Sequence, residues 1–376
     1  MVGQHLKFGC ASKFLEILDD AGIPYVSWKN NHELEKALSG KSDIDLFVPL
    51  EFREDFLRLC RQECWLLAEN PIAQYPWINH FYKPDSELTI NHLHVYFKVV
   101  TGESWLKEYI LPLDDWLIDN RIRCPEFGIW VLNNQAQAYL FTVRHLLKCG
   151  SLLSRLLYFK ELSSYREEWS KCANDLKSIT CDDPLGIKLF AAGTRLKQDG
   201  LQLPCMRTAI GFRATLRPFL RVSALSLPFR RLSSFLERAW NKLTYRRKKI
   251  LPSRGLVVAI SGVDGAGKST MIKEAKDFCS LFLTVEQYHI GKPQGILLET
   301  LRALVNPVKN REREPKKSSG PSRIPIKKAV SATVIALLRL KLARKIGKRA
   351  SKGYLILVDR WPTKIVGKMD GPKIFF

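Results

Sequence analysis

The chain has 376 residues, of which 46% are hydrophobic, and it carries a formal net charge of +23 at neutral pH. This length exceeds one ordinary hydrophobic core, so we expect two domains with a linker, and the apolar content excludes a disordered or fibrous protein. No window approaches the roughly 20 apolar residues of a membrane-spanning helix, and nine cysteines without metal-ligand spacing indicate free thiols in a reducing cytosol.

The first half of the chain alternates helical and extended patterns. Apolar residues at helical spacing predict helices over 12–22, 32–38 and 51–68, and strand-type residues predict strands over 23–29, 42–50 and 88–100. From about residue 135 to 197 the pattern is mainly helical. These elements predict an α+β domain over residues 1–135, followed by a helical extension over 136–200.

Asp43 and Asp45 lie two residues apart on a predicted strand, so both carboxylates project from one face of a sheet. Two such acids can share metal ions that bind a nucleoside triphosphate. With "WKNN" about a dozen residues upstream, the arrangement resembles the nucleotidyltransferase superfamily. In place of the third acid that the resemblance implies, a later strand offers Asn91, His92 and His94. The alternative is a pair of solvated acids at a strand end.

Residues 207–249 form a basic, amphipathic segment inside a predicted linker over 201–254. The segment interleaves apolar residues with arginine and lysine and holds one acid, Glu237. Its apolar residues Phe229, Leu232, Leu236, Trp240 and Leu243 fall on one helical face. This pattern is typical of a helix that lies on an anionic membrane surface. The alternative is a helix that packs its apolar side on a neighbouring domain.

The sequence "SGVDGAGKST" after the apolar stretch "GLVVAI" matches the pattern G-x-x-x-x-G-K-[ST] between a strand and a helix. Glycines let backbone N–H groups converge on phosphate oxygens, and the helix N-terminus adds positive charge. Lys268 would reach the β- and γ-phosphates of ATP, and the Ser269 hydroxyl would hold Mg²⁺. The predicted nucleotide-binding residues are Gly262, Asp264, Gly265, Ala266, Gly267, Lys268, Ser269 and Thr270.

Asp264 in this loop, together with Asp359, Arg360 and Trp361 in "YLILVDRW", resembles the thymidylate kinases over about the last third of the chain. The resemblance implies that Asp264 faces the sugar of an acceptor nucleotide. Asp359 would hold the hydration shell of Mg²⁺, and Arg360 would clamp the acceptor phosphate. With Lys268, these two residues are the predicted catalytic residues.

Two departures from the thymidylate kinases stand out. The substrate segment of that family is replaced by "VEQYHIGKPQG", in which His289, Lys292 and Pro293 are the nearest polar candidates. The chain ends at "MDGPKIFF", before the arginine-bearing lid and the last strands that the resemblance implies. The sequence therefore predicts an incomplete parallel sheet over residues 255–376, and nucleotide binding with slow or absent turnover.

Three functions follow from these patterns. The first is transfer of a phosphoryl group from ATP, with Mg²⁺, to a nucleoside monophosphate such as dTMP or a related phosphorylated acceptor. The second is nucleotidyl or sugar-phosphate transfer by the N-terminal domain. Its fusion to a kinase-like domain resembles proteins of bacterial surface-polysaccharide clusters, and this resemblance implies a role in surface-polysaccharide synthesis. The third is non-enzymatic binding to an anionic membrane surface. Nucleic acid ranks last as a partner, the oligomeric state is open, and we expect a cytoplasmic protein, free or peripheral at the inner face of the membrane.

Overall fold

The computed structural model divides the chain into an N-terminal unit, residues 1–246, and a C-terminal unit, residues 247–376. The boundary falls inside the predicted linker. The structure describes residues 9–72, 75–86, 88–148, 154–155, 158, 165–171, 191–195, 206–245, 247–252, 254–262, 265–290 and 326–361. The predicted site residue Asp264 lies outside these ranges, as do Lys292 and Pro293.

The N-terminal unit contains a seven-stranded mixed sheet in the order β3-β4-β5-β2-β1-β9-β8. Its strands are β1 (Val26–Ser27), β2 (Asp43–Phe47), β3 (Leu66–Ala68), β4 (Ile78–Pro84), β5 (Ile90–Tyr96), β8 (Arg121–Arg123) and β9 (Trp130–Leu132). A separate antiparallel pair is formed by β6 (Val99–Thr101) and β7 (Tyr109–Leu111). Within the large sheet, β2 pairs with β5 in parallel and β1 pairs with β2 antiparallel.

Both faces of the seven-stranded sheet carry a hydrophobic core. On one face, alternate strand residues such as Ile44, Leu93 and Phe81 pack with helices α1 (Cys10–Asp20), α2 (Leu34–Leu38) and α3 (Arg53–Gln62). On the other face, Phe47 and Tyr96 pack with α5 (Asn134–Lys148), while α4 (Asp114–Asp119) contributes Leu117. Side chains alternate along a strand. The strand residues that alternate with Ile44, Leu93 and Phe81 therefore lie on the face of the second core.

The predicted helix over 51–68 is wrong in its second half, because α3 ends at Gln62 and β3 begins at Leu66. The chain reverses through Cys64, whose φ of 58° is left-handed. The backbone N–H of Trp65 donates to the carbonyl of Cys60, and the N–H of Cys64 donates to that of Arg61. This bonding pattern closes a helix C-terminus, and the buried side chain of Trp65 anchors it in the core.

Two helices of the basic segment, α6 (Met206–Thr215) and α7 (Leu227–Trp240), belong to the N-terminal unit. Phe212 of α6 is buried in the second core. Arg213 forms an ion pair with Glu108, and both Glu103 and Glu108 are fully buried. Ion pairs of arginine with buried glutamate therefore hold this segment against the unit.

The C-terminal unit contains a parallel three-stranded sheet in the order β10-β12-β11. Its elements follow the chain as β10 (Leu256–Ile260), α8 (Lys268–Cys279), β11 (Val285–His289), α9 (Ile326–Ala350) and β12 (Leu355–Asp359). The sequence patterns predict a strand, a helix, a second helix and a strand, and these correspond to β10, α8, α9 and β12. The strand β11 was not predicted. The last strand, β12, lies between β10 and β11. Because all three strands are parallel, their carboxyl ends meet at one edge of the sheet.

The described residues therefore form a mixed α/β protein with a seven-stranded mixed sheet, a three-stranded parallel sheet and a two-stranded antiparallel pair. Among the described residues, none of the helices has both the length and the apolar content that crossing a membrane would require. Cys10, Cys60, Cys64, Cys124 and Cys279 are free thiols.

Candidate functional site

The predicted phosphate loop, residues 262–270, follows β10 and includes the first turn of α8 in the C-terminal unit. Its residues 263 and 264 lie outside the described part of the chain. Gly265 has a φ of 86° and Gly267 a φ of 73°, both in the left-handed region that favours glycine. Gly267 is also the N-terminal cap of α8, and its carbonyl accepts the N–H of Met271 at 3.0 Å. The first N–H groups of a helix have no partner within it, so this turn leaves backbone donors available to an anion.

Lys268 begins α8 and lies half-buried against the loop. A methyl group placed on Gly262 would lie 3.5 Å from Cδ of Lys268, so the aliphatic stem of the lysine runs beside the start of the loop. Ala266, Ser269 and Thr270 are exposed to solvent. The loop therefore presents a lysine and a hydroxyl residue on the same open turn.

Asp359 is the last residue of β12, the middle strand of the sheet, and it pairs with one residue of each neighbouring strand. It is in register with Ile260 of β10 and with His289 of β11. Its Oδ2 lies 2.8 Å from Nδ1 of His289, whereas its Oδ1 is a buried atom without a hydrogen-bond partner in the described part of the chain. One carboxylate oxygen is thus held by a histidine, and the other is left without a hydrogen bond among the described residues.

Arg360 follows Asp359 in an uncommon backbone conformation. Its φ is 62°, and its N–H donates to the carbonyl of Ile260 at 3.2 Å. Left-handed residues other than glycine are infrequent and concentrate at functional sites. Arg360 therefore lies at the carboxyl end of β12, beside the end of β10 from which the phosphate loop begins.

A second polar centre, the acidic pocket, lies in the N-terminal unit and is formed by Asp43, Asp45 and His94. The parallel pairing of β2 with β5 aligns Asp45 with His94. Nδ1 of His94 lies 2.9 Å from Oδ1 of Asp45 and 3.4 Å from Oδ2 of Asp43. One ligand atom from each of the three residues falls within a 4.8 Å cluster.

Asp45 is buried and surrounded by donors. Nζ of Lys29 lies 2.9 Å from its Oδ1, and Nδ2 of Asn30 donates to its Oδ2 at 2.7 Å. Burial on its own would raise the pKa of Asp45, but the Lys29 ammonium and His94 hold it well below its usual value. Asp45 is therefore a carboxylate throughout the physiological range.

Burial lowers the pKa of both bases beside Asp45. The pKa of Lys29 is reduced by desolvation despite its attraction to Asp45, and the pKa of His94 is reduced in the same way despite Asp43. A neutral imidazole is the form that ligates a metal. Two carboxylates and one imidazole are donors that suit a divalent cation, so the residues of this pocket fit a metal site.

The acidic pocket opens into a cavity of about 240 Å³ that contains more positive than negative charge. Lys29 and Lys107 each donate to the hydroxyl of Tyr96 at 2.8 Å. The wall also includes Arg144 and Lys148 from α5. These four cations can attract an anionic group to the position next to the two carboxylates.

Three histidines form a stacked row beside the acidic pocket. The ring of His94 lies 4.4 Å from that of His80 and 4.6 Å from that of Tyr96, measured between centroids. Nδ1 of His80 lies 3.0 Å from Nε2 of His92. The row fixes the orientation of the His94 ring, which is therefore positioned rather than free to rotate.

The structure brings together several residues that the sequence motifs do not link. Lys29 lies within the motif "WKNN", but nothing in the sequence of that motif indicates its ion pair with Asp45. Arg144 and Lys107 have no motif at all and reach the pocket through the packing of α5 and of the segment after β6. His289, a candidate from the sequence, is placed beside Asp359.

Comparisons of the chain with protein-family models, with curated proteins and with solved structures gave no match. The two sites are therefore interpreted from their own geometry. In the C-terminal unit this geometry is a glycine turn with a lysine and a hydroxyl residue, at the same sheet edge as a carboxylate. In the N-terminal unit it is a buried carboxylate–imidazole cluster that faces a basic cavity.

Proposed function

We propose that the C-terminal unit binds a nucleoside triphosphate with magnesium and transfers its terminal phosphoryl group to a phosphorylated acceptor. The observation that carries the proposal is the left-handed turn at Gly265 and Gly267, which opens α8 shortly after the apolar strand β10. Phosphoryl transfer depends mainly on positioning and charge stabilisation, and a loop of this kind supplies both.

Each residue at the edge of the sheet has a role in this proposal. The N–H groups from Gly265 to Ser269 bind phosphate oxygens, and Lys268 balances the charge at the β- and γ-phosphates. Ser269 and the unpartnered oxygen of Asp359 would hold the magnesium ion, directly or through water. The bound ion would neutralise negative charge on the triphosphate.

The acceptor side of the proposed site contains Arg360 and His289. Arg360 leaves β12 at the loop edge and is suited to bidentate binding of an acceptor phosphate. His289 holds one oxygen of Asp359 at 2.8 Å and so fixes the direction of the other. A nucleoside monophosphate or another phosphorylated small molecule is the acceptor class that this arrangement fits.

Isothermal titration calorimetry of the full chain with ATP and magnesium tests this proposal. Replacing Lys268 with alanine removes the charge that faces the phosphates, so we expect the affinity to fall by roughly 100-fold or more. Lys273→Ala is the matched control, since Lys273 is an exposed lysine of the same helix. Unchanged affinity in the Lys268→Ala protein would refute the proposal.

A second candidate function is favoured by the cation–anion arrangement of the acidic pocket. We propose that Asp43, Asp45 and His94 bind a divalent cation and that Lys107 and Arg144 bind the phosphate of a nucleotide or sugar phosphate. The supporting observation is the cluster of ligand atoms within 4.8 Å at the wall of a basic cavity. Carboxylates that share metal ions are suited to nucleotidyl or sugar-phosphate transfer.

Manganese binding to the full chain tests the second candidate. All proteins in this experiment carry the Lys268→Ala replacement. Metal that binds with nucleotide at the phosphate loop then does not add to the manganese signal. Replacing Asp43 and Asp45 together with asparagine removes two anionic ligands, and we expect manganese binding, measured by electron paramagnetic resonance, to be lost. Asp55→Asn in the exposed part of α3 is the control. Manganese binding that survives the double replacement would exclude a metal at this pocket.

A further inference from the structure

Helix α7 is amphipathic, but it is attached to the N-terminal unit through its polar face. Arg231 lies 3.3 Å from Oε1 of Glu103 and 3.4 Å from Oε1 of Glu108. One and two turns from these contacts, the hydroxyl of Ser234 donates to the carbonyl of Trp105 at 2.9 Å, and Arg238 donates to the same carbonyl at 3.4 Å. Residues 231, 234 and 238 follow helical spacing, so one side of α7 is fixed by polar contacts.

The opposite face of α7 and the turn after it carry an apolar stripe. The five residues of this stripe are between 55% and 80% exposed, and they are Phe229, Leu232, Leu236, Trp240 and Leu243. Their spacing of three or four residues keeps them on one side of the helix. Large contiguous apolar surfaces on a folded protein usually mark a binding surface.

Buried charge explains why α7 has this orientation. Glu103 and Glu108 are both fully buried, and burying carboxylates without partners is costly. Arg213 of α6 supplies one counter-charge and Arg231 of α7 supplies another. Rotating α7 to bury its apolar stripe would withdraw Arg231 from the two glutamates. The ion pairs therefore hold the apolar stripe toward solvent.

We infer that the apolar stripe of α7 docks on an anionic membrane surface. Residues 206–245 contain eight arginine or lysine residues and one acid, Glu237. Arg207, Arg217, Arg230 and Lys242 are exposed. Basic residues near an anionic surface add to its attraction, and an exposed stripe of phenylalanine, leucine and tryptophan suits the headgroup region. A second copy of the chain would bring the same positive charge, which disfavours self-association through this face.

Sedimentation of the full-length protein with lipid vesicles tests this inference. The vesicles are phosphatidylcholine alone or an equal mixture of phosphatidylcholine and phosphatidylglycerol. We expect sedimentation with the anionic vesicles only, and we expect the double replacement Phe229→Ser and Trp240→Ser to weaken it by at least about tenfold. Near-native tryptophan fluorescence and circular dichroism of the variant would show that the fold is kept.

Leu88→Asn is the matched control, because Leu88 is an exposed leucine elsewhere on the N-terminal unit with a left-handed φ that asparagine tolerates. This control should bind anionic vesicles as the unaltered protein does. Equal binding by the Phe229/Trp240 variant would assign the attraction to other basic residues and overturn the inference. The inference would also be overturned if the protein did not bind vesicles and formed a dimer in light scattering that the same replacement dissociates. That result would identify a second copy of the chain as the partner of the stripe.

Discussion

The acidic pocket of the N-terminal unit and the phosphate loop of the C-terminal unit arrange their polar groups by opposite means. Asp45 is buried, and side chains distant in sequence surround it. The phosphate loop is open, and its donors are backbone groups oriented by Gly265 and Gly267. The pocket therefore depends on compensated charge, whereas the loop depends on backbone conformation. Substitutions should therefore lower the free energy of unfolding strongly in the acidic pocket and weakly in the phosphate loop.

The largest effect is expected where charge is most deeply buried in the N-terminal unit. Arg213→Ala leaves Glu103 and Glu108 with Arg231 as their remaining ion-pair partner among the described residues. Because an uncompensated buried charge is costly, we expect the free energy of unfolding of this unit to fall by about 3–5 kcal/mol. Urea unfolding followed by tryptophan fluorescence measures this unit, since eight of the nine tryptophans lie in residues 1–246.

Arg217→Ala is the control for that experiment, because Arg217 is an exposed arginine close to Arg213. Its effect should stay within about 0.5 kcal/mol. A similar loss in both variants would mean that the pairing with the buried glutamates does not stabilise the unit.

A somewhat smaller effect is expected in the acidic pocket. Asp45→Asn leaves the buried ammonium of Lys29 without its carboxylate, although the hydroxyl of Tyr96 still accepts from it. We expect a loss of about 2–3 kcal/mol in the free energy of unfolding, measured by the same fluorescence transition. Restoring neutrality with Lys29→Met in the same chain should recover part of this loss. No recovery in the double variant would contradict the coupling of Lys29 to Asp45.

The phosphate loop should tolerate a small substitution in stability but not in function. Gly267→Ala forces a φ of 73° on a residue with a Cβ, although no atom lies within 4 Å of that Cβ. We expect a conformational cost of about 1–2 kcal/mol and weaker ATP binding in calorimetry. Gly347→Ala adds the same methyl group inside α9, also in open space, and should stabilise the helix by about 0.5–1 kcal/mol. Equal effects of the two replacements would show that the left-handed turn is not required.

The smallest effect concerns an ion pair at the surface of the C-terminal unit. Burial would raise the pKa of Glu286, but hydrogen bonds from Arg349 and Tyr288 lower it below its usual value of 4.5. A carboxyl with a depressed pKa stabilises the fold above pH 4.5, and this contribution is lost as the pH falls toward the folded-state value. Glu286→Gln should therefore cost less than about 1 kcal/mol at neutral pH and a smaller amount at pH 3. Hydrogen exchange of β11 amides at both pH values measures the difference, and an equal cost at both would contradict it.

The two regions also differ in how far the sequence predicts them. The strand, loop and helix around Lys268 are contiguous, so glycine spacing and apolar periodicity were sufficient to place all three. Asp43 and Asp45 were visible as a pair, but the contact with His94 depends on the register of β2 against β5. Register is fixed by the packing of the whole sheet, which local patterns do not contain.

Long-range ion pairs and left-handed residues were likewise beyond the sequence patterns. The pairing of Glu108 with Arg213 joins residues that are 105 positions apart. The end of α3 depends on Cys64 in a left-handed conformation, where glycine would have been an evident signal and cysteine was not. The amphipathic pattern of α7 was evident, but it could not show that the arginine face would be the attached one.

Hydrogen exchange of the full chain with and without saturating ATP and magnesium tests the proposed nucleotide site most directly. If the phosphate loop encloses the triphosphate, amides between Gly265 and Ser269 should exchange at least about tenfold more slowly with the nucleotide bound. Protection that is confined to β2 and β5, or exchange that is unchanged in the loop at saturation, would contradict the account.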